Sequence, residues 1–147
     1  MKRLLVLASG LVVLTMTGLA LAQLPPDWAL NQNLPNPFCN ESSITRIQYA
    51  LPQQCDVLLQ VWNPDTTVVV RVLVDGAQSA GYFEVVWDGR DEGGALLANG
   101  EYPYSLTATQ TGGGPVLFES TLVASIHCVP IGRDLDTWGK IKALFEE

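Results

Sequence analysis

Between Ile47 and Ile126 apolar side chains recur at every second position, in short runs separated by turn-forming residues. A chain patterned in this way can bury one face only as a sheet. Ile47, Tyr49 and Leu51 alternate with Gln48 and Ala50, and Val57, Leu59 and Val61 alternate with Leu58, Gln60 and Trp62. Phe83, Val85 and Trp87 alternate with Tyr82, Glu84 and Val86, a phase that sends Trp87 inward and leaves Trp62 on a surface. Tyr102, Tyr104, Leu106 and Ala108 alternate with Glu101, Pro103, Ser105 and Thr107. Val68 to Val74 is nearly continuous in β-branched residues, with Arg71 marking its wet face, and Val116 to Ile126 sets Phe118, Leu122, Ala124 and Ile126 on one side. Pro52-Gln53-Gln54, Asn63-Pro64-Asp65, Asp75-Gly76, Asp88-Gly89, Gly93-Gly94, Asn99-Gly100 and Gly112 to Pro115 fall between the runs as turns. The expected class is all-β, an antiparallel sandwich of six to seven strands. Pro103 places its own strand at a sheet edge or a bulge.

The ends differ from this middle. Lys2 and Arg3 precede an apolar run from Leu4 to Leu21, and Ala20-Leu21-Ala22 closes it with small residues. That order describes a secretory signal peptide over 1–22, cleaved before Gln23. An uncleaved membrane anchor is the rival reading, since the run almost spans a bilayer. No Cys follows the cut, which excludes the usual lipoprotein signal. The expected order is leader 1–22, lead-in 23–37, sandwich 38–128 and tail 129–147, with no stable membrane span after cleavage. Losing Lys2 and Arg3 leaves six basic against fifteen acidic side chains, a net charge near −9. Such a surface repels phosphate backbones, so no nucleic-acid partner is expected.

Pro35-Asn36-Pro37-Phe38, Ile44 to Pro52, Val61-Trp62-Asn63, Val86-Trp87-Asp88-Gly89-Arg90-Asp91 and Ala98 to Tyr104 stand in the order of a known module. From Leu30 to Ile126 the chain resembles the small FlgD Ig-like domain family, found in the flagellar hook-capping protein and in C-terminal sorting domains of type IX secretion. The resemblance implies an Ig-like β-sandwich in which Pro35, Asn36, Pro37 and Phe38 form the lead-in motif, Phe38 plugging one end and the prolines stiffening the entry. It sets Trp87, Asp88 and Gly89 at the end of the fourth strand and its central turn. It implies no catalysis. The family's glycine after the second strand is replaced by Pro64-Asp65-Thr66, so a reshaped turn is expected there. The hook-cap role itself is set aside, because that export route uses no cleaved leader. A sorting role carries over only weakly, as an association with secretion, because no cargo domain is expected before the module.

If successive strands alternate in direction, Cys39 and Cys128 meet at one end of the sandwich and Cys55, in the first turn, lies at the other. Only the first two then come within the roughly 7 Å a disulfide needs, and export favours oxidation. Three reduced thiols remain the alternative, with Cys55 in either case an odd thiol, inert or open to a partner.

Other residues carry chemistry in principle. Asp88, Asp91 and Glu92 share one loop and are weak calcium candidates, although their spacing is not that of an EF-hand. As a carboxylate pair for glycoside hydrolysis they lack a facing strand. His127 is the sole histidine, too few for a metal site of its own, and it reads as a strand-end residue. Trp28, Trp62 and Trp87 are a possible stacking platform for sugar.

Past Cys128, Asp136 is placed to cap a short helix whose Trp138, Ile141, Leu144 and Phe145 share a stripe. Too short to stand alone in water, it packs on its own domain or docks on a partner. The expected function is an exported, non-catalytic module that binds or assembles proteins in the cell envelope or outside the cell, without a cofactor. The competing reading is carbohydrate- or calcium-dependent surface adhesion.

Overall fold

The period-two runs become seven strands in two antiparallel sheets. The structure is a computed structural model that describes residues 23–130. The leader and the stripe of Trp138, Ile141, Leu144 and Phe145 lie outside the described residues. In chain order the strands are β1 (Ala29–Leu30), β2 (Thr45–Leu51), β3 (Cys55–Trp62), β4 (Val69–Gln78), β5 (Gly81–Trp87), β6 (Gly100–Thr109) and β7 (Val116–Ile126). One sheet has the order β1-β2-β5 and the other β4-β3-β6-β7. The chain therefore changes sheet after β2, after β4 and again after β5. β1, within the stretch read as lead-in, pairs with β2 through Ala29 opposite Ala50 and Leu30 opposite Tyr49.

The inward phase holds along β2, β3, β6 and the end of β7. Ile47, Tyr49, Leu51, Val57, Leu59, Val61, Tyr102, Tyr104, Leu106, Ala108, Ala124 and Ile126 form one buried cluster with Trp87. Phe83, Val85, Phe118 and Leu122 share that side but are only half-buried, packed against the cluster near its margins. Burying one such apolar side chain stabilises the fold by roughly 1.5–3 kcal/mol, so this cluster is the main source of stability.

Four local expectations need correction. Asp75-Gly76 is no turn: it lies inside β4, paired with Leu58 and Val57, and the chain reverses at Ser79-Ala80 instead. Cys55 is not in a turn but opens β3, fully buried. Arg71 does not mark the wet face of β4. It stands opposite Val61, half-buried, and its Nη1 donates to the carbonyl of Asp91 at 3.0 Å, while Val72 is the exposed neighbour. Two register shifts along the β3–β4 ladder account for the change of phase. Pro103 is not at an edge either, since β6 runs between β3 and β7. It is tolerated because the β3–β6 ladder stops at Val61 opposite Tyr104, one residue short of the proline.

Buried polar groups fasten the lead-in to the sandwich. The Asn33 N–H donates to the Tyr104 hydroxyl at 2.9 Å, and that hydroxyl donates to the Asn31 carbonyl at 2.9 Å. Asn33 Nδ2 donates to Thr45 Oγ1 at 2.9 Å, and Thr45 Oγ1 donates to the Pro35 carbonyl at 2.8 Å. Tyr102 makes the tyrosine corner of Ig-like sandwiches, its hydroxyl donating to the Ala98 carbonyl at 2.8 Å. Burial pushes the Tyr104 phenol from 10.0 up to about 12, with the Asn33 N–H opposing. An unfolded phenol ionises at the ordinary value, so the stability tied to Tyr104 is fully present below that value and is lost as pH rises toward the folded one. The melting temperature is therefore expected to fall between pH 10 and about 12. Tyr104→Phe should flatten that part of the profile and lower the neutral-pH value, because the Asn33 N–H loses its acceptor. A melting series across alkaline pH checks both.

Candidate functional site

The end of the sandwich where Cys39 and Cys128 meet gathers the residues expected to matter. Their Cα atoms are 4.5 Å apart and their sulfurs are joined. Beneath the disulfide Phe38, 3% exposed, packs edge-on to Trp87 with ring centroids 5.6 Å apart, and Trp87 packs on Tyr102 at 6.0 Å. Phe38 is thus part of the buried core at this end. Asn36 clamps it from outside, its Oδ1 accepting from the Ser125 N–H at 2.8 Å and its Nδ2 donating to the Val123 carbonyl at 3.2 Å. Pro35 and Pro37 flank that clamp, each after a cis peptide bond.

The central turn is anchored by Asn40, 8% exposed, whose Nδ2 donates to the carbonyls of Gly89 at 2.9 Å and Leu97 at 2.8 Å. Gly89 has a φ of +70°, and a side chain there would strike Asn40 Cβ, so both its conformation and its contact require glycine. Trp87 Nε1 donates to the Arg90 carbonyl at 3.1 Å. Asn40 was not legible as a site residue. Its one signal in the sequence is an amide next to Cys39, just before a strand.

Asp88, Asp91 and Glu92 share the loop but do not converge. Asp88 Oδ1 accepts from the Arg90 N–H at 3.1 Å, and Asp91 Oδ1 from the Ala95 N–H at 2.8 Å. Glu92 turns toward the other sheet: its N–H donates to the Val70 carbonyl at 2.8 Å, and its Oε2 accepts from the Val72 N–H at 3.1 Å. It occupies the outer edge of β4. Among the described residues, only Cys39, Glu41 and Cys128 bring three metal-type ligands together, and two of these are spent in the disulfide. His127 is exposed at the end of β7 and its N–H donates to the Phe38 carbonyl at 2.9 Å.

The three tryptophans lie apart. Trp87 is 1% exposed and open to no ligand. Trp28 stacks on Phe118, centroids 5.8 Å apart. Trp62 is half-exposed on the outer face of the four-stranded sheet, its Nε1 donating to Ser105 Oγ at 2.9 Å, beside a shallow groove of about 230 Å³. The turn after β3, at Pro64-Asp65-Thr66, is held by its neighbours' side chains. Asn63 Oδ1 accepts from the N–H groups of Thr67 and Val68, and Asp65 Oδ1 from the Thr67 hydroxyl, holding Thr66 at a φ of 61°. Those bonds from Thr67 keep the Asp65 carboxyl below its ordinary range. Burial, helped by the Asp56 carboxylate, pushes the Cys55 thiol up, so it stays protonated and unreactive.

The family described as FlgD Ig-like domain matches residues 37–112, just over half of the chain, from the plug at Phe38 to the turn after β6. That span is narrower than Leu30 to Ile126 and leaves out β1 and β7. Comparison with curated proteins gives no match.

Proposed function

The chain belongs to the FlgD Ig-like domain family, a structural, non-enzymatic domain, and from that premise we propose that it is an exported module that binds or assembles with other proteins in the cell envelope. One observation carries the proposal. Among the described residues Asn33, Asn40 and Thr45 are the buried polar side chains, and every one is bonded to the domain's own lead-in or turn. The interior is thus committed to holding the sandwich, which leaves the surface to act. The disulfide agrees with an extracytoplasmic place, and so does the leader pattern at 1–22.

The basic residues among those described support a protein rather than a phosphate partner. Arg46 lies 3.6 Å from Glu84, Arg90 lies 3.8 Å from Asp88, and Arg71 is spent on the Asp91 carbonyl. The test is a pull-down from cell-envelope fractions combined with mass spectrometry of the native chain. The expected result is a mature N-terminus at Gln23 and a defined protein co-purifying with it. Intact Met1 in a membrane fraction would replace export by anchoring. Glycan-array signal without a protein partner would replace assembly by adhesion.

A further inference from the structure

The two sheets leave strand edges open, and the protein treats them unequally. The edge of β4 carries two register shifts and is capped by Glu92, both devices that stop another strand from adding. The edge of β7 is closed over its last part only. Gln32 and Asn36 bond the Val123 carbonyl, Phe38 N–H donates to the Ser125 carbonyl at 3.0 Å, and His127 N–H donates to the Phe38 carbonyl. Backbone groups alternate along a strand, so Thr121 and Glu119 present theirs to the same side as Val123 and Ser125. Among the described residues nothing pairs with them.

Among the described residues the charged side chains on the outer face of the four-stranded sheet are all acidic, and Glu119 is the one that stands on the open part of this edge. Ladder partners place Asp56, Asp75, Glu101 and Glu119 on the outer side of the four-stranded sheet, opposite the phase of Val57, Tyr102 and Phe118. The three described arginines are all engaged elsewhere, near Glu84 and the Asp88–Glu92 loop. The edge of β5 lacks this character, because Glu84 on its outer face is matched by Arg46 and bonded by Gln48. The inner side of β7 offers the half-buried Phe118 with Trp28 stacked on it.

We propose that the open part of β7, Val116 to Thr121, accepts an extended segment of a partner protein that carries lysine or arginine at alternate positions. The segment pairs with the edge through its backbone, sets its cations beside Glu119, and turns its apolar residues toward Phe118 and Trp28. A second copy of this chain fits poorly, since it would bring Glu119 and the same excess of acid to the junction. The inference rests on the reading of the chain as a protein-binding module.

The test uses the mature chain, hydrogen exchange by NMR, and a short synthetic peptide of alternating lysine and valine. The peptide is expected to slow exchange at the Glu119 and Thr121 amides about tenfold or more, less at high salt, whereas the peptide with glutamate for lysine has no effect. Thr121→Pro removes an outward N–H without touching the β6 ladder, so it should abolish the protection while leaving the melting temperature nearly unchanged. Equal binding of the peptide to Thr121→Pro would overturn strand addition in favour of simple charge pairing. Protection of both amides before peptide is added would also overturn it, with sedimentation showing whether a second copy or the chain's own tail covers the edge. An envelope partner that co-purifies equally with Thr121→Pro would refute the edge and leave the binding-module reading standing. Absence of any partner for the unaltered chain would refute that reading itself.

Discussion

Trp87→Ala is expected to cost about 3–5 kcal/mol of folding stability, a large share of the roughly 5–15 kcal/mol that holds a typical domain. The indole is 1% exposed and lies between Phe38 and Tyr102, so its loss opens a cavity at the very end of the sandwich that the disulfide closes. The bond from Nε1 to the Arg90 carbonyl goes with it, loosening the central turn. Trp62→Ala should cost much less, since that ring is half-exposed and loses only its contact with Ser105 and the sheet surface. Parallel denaturant titrations decide the matter. Equal losses would mean that the aromatic plug contributes no more than a surface ring.

Removing the disulfide is expected to have the other large effect. Cys39 and Cys128 are 89 residues apart, and closing a loop of that length limits the unfolded chain by about 4 kcal/mol in the chain-entropy account, usually less in practice. The double replacement Cys39→Ser with Cys128→Ser should lower the melting temperature sharply, and a reductant should do the same to the unaltered protein. Non-reducing peptide mapping should recover Cys39 joined to Cys128. Cys55, fully buried, should resist alkylation until the domain unfolds. A peptide joining Cys55 to either of the others would contradict the arrangement of the two ends.

Much of the core was legible in the sequence because burial on a strand follows a period of two. Val57, Leu59 and Val61, and again Tyr102, Tyr104, Leu106 and Ala108, needed only that rule. Ala50 escaped it. Its phase is outward, yet it is 5% exposed, because it stands in the middle strand between Ala29 of β1 and Tyr82 of β5. Arg71 escaped because of the register shifts, while the Asp75-Gly76 pair, a common turn signal, continues in regular register inside β4. Register shifts in β4 change which side of the strand a residue faces, and nothing local announces them. Asp88, Asp91 and Glu92 are neighbours in sequence, yet their carboxylates serve different backbone donors, since a turn spreads neighbouring side chains in different directions.

The sequence by itself determined the class of fold and the inward face of most strands, because both follow from alternation along one chain. Strand direction favoured the pairing of Cys39 with Cys128, and the place of Phe38 was implied only by the resemblance of the lead-in motif. Only the tertiary structure decided which strands stand at an edge. Pro103 belongs to a central strand, Glu92 caps β4 from another sheet's loop, and the lead-in covers one part of β7 and leaves another open. Edge or centre is a relation between segments far apart in sequence, fixed by which backbone groups are already paired when the two sheets close on one another, and no local pattern encodes it.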